Sequence, residues 1–321
     1  MPKQATVYVG TVGQGVWRSM DGGETWERVH DQLYSESDIR AIAVHPRDPR
    51  ILYAGTDTGV YRSSDGGDTW SRSDSEMNEL HVWSLAIDPA HPETVYAGTR
   101  PSAVYRSEDD GGSWQKLDTG METVCPPILY TRVTTLLCDP VDTDTLWAGV
   151  EIDGVYRSKD RGATWTAHKT GLNSLDIHGI TILPGPPKRI LVTTNAGICI
   201  STDNGETFQD MEIHTRFAWR YCRGTTQKTD GSGVIFVGNG SGPPGDAGAI
   251  RRTTDGGLTW GTPRLSHEPN STIWHFAVNP LDPDLLFAYS VSGQVFRSDD
   301  GGENWTKLAR EFGEVRAMAW V

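Results

Sequence analysis

The sequence has little positive charge for its size. Its 29 Lys and Arg residues are outnumbered by 42 Asp and Glu residues, which gives a formal net charge of −13 at pH 7. Binding to nucleic acid or to an anionic bilayer depends strongly on basic side chains that neutralise phosphate groups. The composition therefore predicts that neither nucleic acid nor a membrane is a partner.

Long apolar runs are also absent. No segment approaches the length of about 20 apolar residues that a membrane-spanning helix needs. Residues 1–6 lead directly into a strand-like run, without the apolar core of a secretory signal. On this basis we expect a cytoplasmic protein.

Cysteine is scarce, and the four cysteines lie far apart in the sequence, at Cys125, Cys138, Cys199 and Cys222. They lack the closely spaced pairs that are typical of zinc sites. We therefore expect no metal site, and no cofactor is indicated. Three of the four lie in apolar strand contexts and are expected to be small buried thiols, whereas Cys125 lies in a loop.

What the sequence has in abundance is one repeated motif. The pattern Ser/Thr-x-Asp-x-Gly-x-Thr/Ser/Asn-Trp/Phe occurs seven times, anchored on Asp21, Asp65, Asp109, Asp160, Asp203, Asp255 and Asp300. Successive anchors are separated by 44, 44, 51, 43, 52 and 45 residues. A period in this range, with strand-like runs between the copies, is typical of a β-propeller with one four-stranded blade per repeat.

Each copy of the motif predicts a tight hairpin turn. In the second copy, Asp65 can bond to backbone groups of the turn and Gly67 can adopt a positive φ. Trp70 then places a large apolar surface between neighbouring blades. Turn stabilisation alone explains seven equivalent aspartates, so we interpret them as structural. By the same argument six tryptophans are assigned to the core, namely Trp26, Trp70, Trp114, Trp165, Trp260 and Trp305.

The two ends of the chain supply parts of one blade. Residues 6–10 match the second strand of a repeat, and residues 315–321 match the innermost strand. The sequence therefore predicts an all-β fold, a single seven-bladed propeller of four-stranded antiparallel blades that is closed by the C-terminal strand. One blade combines residues 5–29 with 314–321, and the others span about 39–73, 82–117, 133–168, 177–210, 217–263 and 273–308.

The repeated motif resembles the Asp-box, or BNR repeat, of sialidases, sortilin-type receptors, xyloglucan-degrading enzymes and photosystem II assembly factors. The resemblance covers essentially the whole chain, and the copies differ slightly only at Phe208 and Asn304, which replace the usual Trp and Thr. It implies a propeller fold. Residues 53–62 are similar to the segment that holds a catalytic aspartate in the xyloglucan-degrading enzymes, which would assign that role to Asp57.

This chain also differs from each of these protein families. Xyloglucan-degrading enzymes place their cleft between two propellers, whereas this chain contains one. Sialidases have six blades and an Arg-Ile-Pro signature that is missing here, so sialidase activity is not expected. Sortilin-type receptors have ten blades and disulfide-rich appendages, and the assembly factors act outside the cytoplasm.

The start of each inner strand is the most informative region for function. Aligning the strands on their terminal proline places unusual residues at one position: Arg40, Trp83, Thr134, His178, Trp274 and Arg316, with Trp219 by a looser alignment. Arg132 and His275 are neighbouring candidates. Large aromatic and cationic side chains at the channel mouth suit a sugar ring or an anionic small molecule. The alternative is that they only fill the channel and pair with acidic loops.

Two long loops on the same face, residues 118–132 and 239–246, add further candidate binding surface. Catalysis would need carboxylates or a histidine on this face, for which Asp57, Asp153 and His178 are candidates. Two functions remain open. One is a monomeric protein with a pocket for a small polar or anionic ligand, including carbohydrates, with glycosidase-like hydrolysis as an option. The other is a non-enzymatic platform for protein interaction or assembly.

Overall fold

A computed structural model describes residues 3–126 and 128–321. Short antiparallel sheets follow one another along the chain, and they stand around a common axis. Each innermost strand packs against the innermost strand of the next sheet, and the last of them packs against the first. The described part of the chain is therefore a closed ring of seven blades, as the sequence predicts.

The strands are numbered along the chain. Blade 1 begins with β1 (Val7–Thr11), β2 (Val16–Ser19) and β3 (Glu27–Arg28). Blade 2 contains β4 (Ala41–Val44), β5 (Leu52–Thr56), β6 (Gly59–Ser63) and β7 (Ser71–Arg72). Blade 3 contains β8 (His81–Ile87), β9 (Val95–Arg100), β10 (Val104–Ser107) and β11 (Gln115–Lys116). A separate hairpin of β12 (Val124–Cys125) and β13 (Leu129–Tyr130) follows.

The remaining blades continue in the same order. Blade 4 contains β14 (Val133–Cys138), β15 (Leu146–Val150), β16 (Gly154–Ser158) and β17 (Thr166–His168). Blade 5 contains β18 (Ile177–Leu183), β19 (Arg189–Thr194), β20 (Gly197–Ser201) and β21 (Gln209–Asp210). Blade 6 contains β22 (Tyr221–Gln227), β23 (Ile235–Gly240) and β24 (Gly248–Thr253). Blade 7 contains β25 (Arg264–Leu265), β26 (Ile273–Ala277), β27 (Leu286–Ser290), β28 (Val295–Ser298) and β29 (Asn304–Lys307).

The last strand, β30 (Val315–Trp320), is the inner strand of blade 1. It pairs antiparallel with β1, with Val7 opposite Trp320 and Gly10 opposite Ala317. The backbones of Thr6 and Val321 extend this pairing by two further hydrogen bonds. This arrangement confirms the predicted closure and covers the inner edge of β1.

Helical structure is limited to two single turns of 3₁₀ helix, Glu76–Glu79 and Ile213–Thr215, within the described residues. Neither is long or apolar enough to cross a lipid bilayer.

The Asp-box turns have the same hydrogen bonds in all seven blades. In blade 2, the Ser63 hydroxyl donates to Asp65 at 2.8 Å, and the Thr69 hydroxyl and backbone N–H donate to the two carboxylate oxygens at 2.6 and 2.9 Å. The backbone N–H of Gly67 donates to Ser63. The aspartates are thus fully used in holding their turns, which supports the structural interpretation.

Aromatic residues of the motif fill the spaces between blades. Trp70 and Trp305 are only 1% exposed, and Phe208 is 4% exposed. The predicted core position is thus confirmed for Trp70 and Trp305. The other four tryptophans of the motif are half-buried, and each packs against the edge of a core cluster: Trp26, Trp114, Trp165 and Trp260.

Glycines in the second strands let neighbouring blades approach closely. A Cβ atom on Gly149 in β15 would lie 2.5 Å from Cγ2 of Ile177, at the start of the next inner strand. Equivalent glycines at positions 10, 55, 98 and 238 face the residue at the start of the following inner strand in the same way. These contacts fix where the neighbouring inner strand begins along the channel axis. They therefore also position the residue that comes directly after the contact.

Blade 6 has lost its regular outer strand. In five other blades the residue three positions after the motif aromatic donates its N–H to the neighbouring strand, as Ser73 does to Val60 at 3.0 Å. The corresponding residue in blade 6 is Pro263, which has no N–H to donate. Only an isolated bridge between Arg252 and Gly261 remains, and the chain continues as β25, which pairs in parallel with β29 of blade 7.

Candidate functional site

One residue near the start of the inner strand bulges out of the sheet in six of the seven blades. In β8, Val82 pairs with Thr99 and Ser84 pairs with Gly98, which leaves Trp83 without a partner. The same extra residue is found in β14, β18, β22, β26 and β30. In blade 2, Arg40 precedes β4 and bonds to Gly55 at 2.8 Å. Bulges of this kind redirect a side chain out of the pleat.

These seven residues form a layer around the axis that we call the collar. Its members are Arg40, Trp83, Thr134, His178, Arg223, Trp274 and Arg316. The structure thus brings together six residues that the sequence places at one position. For blade 6 the looser alignment was wrong, because the bulge contains Arg223 and not Trp219. β22 continues to Gln227 and lacks the proline that follows five of the other inner strands.

Two tryptophans of the collar are each held between two arginines. The guanidinium carbons of Arg40 and Arg132 lie 4.4 and 4.0 Å from the ring centre of Trp83. Those of Arg223 and Arg316 lie 3.9 and 4.2 Å from the ring centre of Trp274. Both rings are therefore largely covered, at 9% and 7% exposure. Stacking on the face of an aromatic ring stabilises the positive charge of a guanidinium group.

Three of these four arginines have a carboxylate partner. Arg40 pairs with Asp38 at 2.7 Å, Arg132 pairs with Glu151, and Arg316 pairs with Glu314. The alternative in which arginines of the channel pair with acidic loops is thus correct for these three. It does not describe Arg223.

The collar lies between two cavities. The mouth cavity, of about 780 Å³, opens among the loops that join the second strands to the third strands and those that enter the inner strands. The lumen cavity, of about 510 Å³, follows the inner strands towards the Asp-box face. His178, Trp274 and Arg316 line both. Trp83 and Trp274 narrow the channel at this level, but an open concave surface remains above them.

Blades 4 to 6 supply most of the mouth cavity. Its cationic side chains are Arg132, Arg220 and Arg316, and Trp219 and Tyr221 add aromatic surface. Trp219 is half-buried here, although it is not part of the collar. The long loop after β23 forms one wall with residues 240–243. This loop is tied to blade 7 by the Thr272 hydroxyl, which donates to the Gly242 carbonyl at 2.6 Å.

His178 is fixed between two acceptors. Its Nδ1 lies 2.6 Å from the carbonyl oxygen of Cys222, and its Nε2 lies 3.3 Å from Asp176. Burial, and then the nearby Arg223, lower the pKa of His178 to about 4. Burial tends to raise the pKa of Asp176, but its bond to His178 outweighs this and leaves that pKa below its usual value. At neutral pH the ring is therefore uncharged, and it has a single N–H to donate, either to the Cys222 carbonyl or to Asp176.

The predicted catalytic carboxylates lie away from the two cavities. Asp153 is 3% exposed and is held by Lys169, by the Tyr156 hydroxyl at 2.7 Å and by the Glu122 N–H at 2.9 Å. Asp57 accepts from the Asp38 N–H at 3.1 Å. Neither residue lines the mouth or the lumen cavity. Only His178, of the three catalytic candidates, reaches them.

The remaining histidines and cysteines do not form a metal site. His275 lines the lumen cavity, and burial lowers its pKa. Within residues 3–126 and 128–321, no three His, Cys, Asp or Glu side chains are placed to hold an ion together. Cys199 and Cys222 are buried, whereas Cys138 is half-buried and lines the lumen cavity, contrary to the expectation of full burial. Burial raises the pKa of the Cys138 thiol to about 12.

The loop between blades 3 and 4 forms the hairpin of β12 and β13 beside the mouth. Val124 and Leu129 are 57% and 60% exposed, and Cys125 is half-buried. Pro127 lies outside the described residues. Ile128 lines the mouth cavity, and its carbonyl accepts from Arg100 at 3.1 Å.

Comparison with protein families finds two matches to parts of the chain. The family model for sortilin (neurotensin receptor 3) matches residues 58–150, and that for the BNR/Asp-box repeat matches residues 296–307. Sortilin of Danio rerio is 30% identical over 115 residues, 34% of this chain. A xyloglucanase of a Paenibacillus species is 25% identical over 184 residues, 54% of this chain. The matched regions span only 13% and 15% of those two proteins.

Solved structures share the fold more completely. The GH74 xyloglucanase from Xanthomonas campestris superposes with a TM-score of 0.73 at 16% identity, covering 96% of this chain and 53% of the enzyme. YCF48 bound to a D1 peptide superposes with a TM-score of 0.58 at 13% identity, covering 85% of this chain and 82% of YCF48. At these identities the likeness shows a common propeller fold alone.

Proposed function

Because the chain is a seven-bladed β-propeller of the Asp-box (BNR) repeat superfamily, we propose that it binds a small polar or anionic organic molecule in the mouth cavity. The observation that carries this proposal is the lining of a cavity of about 780 Å³ by three arginines and by the half-buried rings of Trp219 and Tyr221. Arginine recognises carboxylate and phosphate groups through paired hydrogen bonds. Aromatic faces stack on sugar rings or on planar acids. Together they favour anionic sugars and small carboxylic acids.

The environment of the carboxylates in the mouth cavity favours ligand binding over glycoside hydrolysis. Glycoside hydrolysis needs one carboxyl group to donate a proton and a second one to act as nucleophile or base. Of the two carboxylates of the mouth cavity, Glu151 pairs with Arg132, which leaves Asp176 as the one carboxylate without a cationic partner among the described residues. The xyloglucanases make carbohydrates a class to test as ligands. We propose no catalytic step.

The test is a calorimetric titration of the protein with neutral sugars, uronic acids, small carboxylates and sugar phosphates. Trp219→Ala removes a stacking surface and Arg220→Glu reverses an exposed charge, both at the mouth. We expect each variant to weaken binding about tenfold or more, which corresponds to about 1.4 kcal/mol.

Arg216→Glu is the matched control, because Arg216 lies in the same connecting segment, is exposed, and does not line the cavity. It should leave the affinity unchanged. Equal losses in Arg216→Glu and Arg220→Glu would indicate only a general charge effect. Absence of binding by every compound would reject the proposal.

A second candidate is binding of an extended peptide across the same face. The observation that favours it is the exposed apolar hairpin of Val124 and Leu129 beside the mouth. YCF48, a propeller of similar fold, has been solved bound to a peptide. A peptide library screened against the native protein and Leu129→Ser separates the two functions, since loss of binding in Leu129→Ser with no small-molecule ligand would favour the peptide.

A further inference from the structure

Arg223 is the collar cation without a compensating charge. It is only 5% exposed, and its guanidinium makes no ion pair and no side-chain hydrogen bond with the residues that the structure describes. The three other arginines that stack on Trp83 and Trp274 each have a carboxylate partner and are more exposed. The most buried of the four is thus the unpaired one.

The surroundings of Arg223 make this arrangement unfavourable. Burial lowers the pKa of Arg223, and the nearby Arg132 and Arg316 lower it further. Tyr221 and Glu151 act in the opposite direction, but Glu151 is already paired with Arg132. A guanidinium nevertheless stays charged at neutral pH. A buried charge without a partner is strongly destabilising in a folded protein, so a counter-ion is expected.

The space beside Arg223 can accept such an ion. Arg223 lines the lumen cavity of about 510 Å³, together with Arg40 and Arg316. Two further donors line the same cavity. The hydroxyl of Thr225 accepts from Thr181 at 3.2 Å and keeps its own proton for another acceptor. The indole N–H of Trp83 is buried and has no hydrogen-bond partner in the described chain.

We propose that the lumen cavity is a second binding site, which holds a small oxyanion against the guanidinium of Arg223. The planar guanidinium matches the two oxygens of a carboxylate or of an inorganic oxyanion. The side chains of Arg40 and Arg316 add positive potential at the same level. This site is distinct from the mouth cavity, which Arg223 does not line. The inference therefore stands whether or not the mouth binds an organic ligand.

The experiment is thermal unfolding at low ionic strength while acetate, phosphate or sulfate is added. Native protein should show a saturable rise in Tm of about 2 to 4 °C. Arg223→Met should lose this rise. In the absence of added anion this variant should melt at the same temperature as the native protein or higher, because it removes an uncompensated buried charge.

Two control variants test whether the rise in Tm arises from anion binding at Arg223. Arg251→Met removes an arginine on β24 in the same blade, outside the channel, and should keep the full response. Trp219→Ala alters the mouth and should also keep it, so failure of the mouth proposal and failure of this one are distinguishable. Acetate alone giving the rise would identify a carboxylate, and a rise with phosphate or sulfate would identify an inorganic oxyanion.

The proposal is wrong if native protein shows no saturable response, or if Arg223→Met retains the response in full. Should Arg223→Met fail to fold, calorimetric titration of native protein and Arg223→Lys with acetate and phosphate replaces it. The lysine variant keeps the charge but loses the planar fork. It should bind more weakly than the native protein by about tenfold, and equal affinity would reject the role of Arg223.

Discussion

At the scale of single residues, the Asp-box carboxylates stabilise the ring through bonds to their own turns. Asp203 accepts from the Ser201 hydroxyl at 2.7 Å and from the hydroxyl and N–H of Thr207 at 2.6 and 3.0 Å. The bond from the Thr207 side chain is the main reason that the pKa of Asp203 falls to about 2. The ionised form is therefore favoured by folding.

Asp203→Ala should lower the free energy of unfolding by about 1 to 2 kcal/mol at pH 6, because it removes charge-assisted hydrogen bonds. The folded pKa is depressed, so the contribution is present above the unfolded pKa near 4 and is lost as the pH falls through about 2. Urea unfolding at pH 6 and at pH 2 measures both values. Asp118→Ala, at an exposed loop position, is the control and should change stability by less than about 0.5 kcal/mol. An equal loss at both pH values would contradict this account.

The residues of the collar were partly predictable at this scale. Five follow from aligning inner strands on the proline that comes after each strand, and Arg316 follows from the similar run of residues in β30. Arg223 does not, because β22 is not followed by such a proline. A better signal is local: a buried apolar residue precedes each collar residue and a small residue usually follows. Cys222 and Gly224 flank Arg223 in this way, as Ile177 and Gly179 flank His178. The ion pairs and the burial of the collar arginines depend on the conformations of the loops. The pattern of residues in the strands does not predict those conformations.

At the scale of strands, the glycines of the second strands determine how closely blades pack. Gly149→Ala would place a Cβ atom 2.5 Å from Ile177 and 2.7 Å from Thr135. The neighbouring inner strand would have to move, so we expect a loss of about 1 to 3 kcal/mol in urea unfolding. Because Ile177 precedes His178, we also expect weaker ligand binding at the mouth.

The control for this prediction is Gly313→Ala. Gly313 has no positive φ, and an added Cβ atom would meet no other atom within 4 Å. Its stability should stay within about 0.5 kcal/mol of the native protein. Similar losses in the two variants would show that glycine replacement in general, and not blade contact, is responsible.

Blade 6 marks the limit of prediction at this scale. The repeat pattern indicates four strands in residues 217–263, but the outer strand is replaced by one bridge. The cause is visible in the sequence, because Pro263 occupies the position that donates an N–H in other blades. The sequence does not predict that residues 264–265 pair in parallel with β29, since this pairing depends on the position of blade 7.

At the scale of the whole molecule, the seven-bladed ring and its closure follow from the sequence alone. The number of motifs fixes the number of blades, and the strand-like runs at the two ends complete one blade. The two cavities do not follow from it. They depend on how far each bulged side chain projects towards the axis, and on loops whose conformations no repeat determines.

Ending the chain at Gly313 removes β30 and exposes the inner edge of β1. The truncated protein should be mostly insoluble or oligomeric, because an open apolar edge invites association. Soluble yield and size-exclusion chromatography measure this. Removal of Val321 alone, which loses only the two hydrogen bonds to Thr6, is the control and should keep the elution volume of the native protein. A truncated protein that elutes and melts like the native one would contradict the importance of closure.

The pairing of β1 with β30 also sets an order of events during synthesis. β1 leaves the ribosome before every other strand of the ring, and one of its two hydrogen-bond partners, β30, leaves after every other strand of the ring. Blades 2 to 7 contain only strands that are close in sequence, and they can form as they emerge. A nascent chain therefore passes through a stage in which six blades are folded and one edge of β1 is unpaired. In the cell, this is the stage at which chaperone binding would matter most.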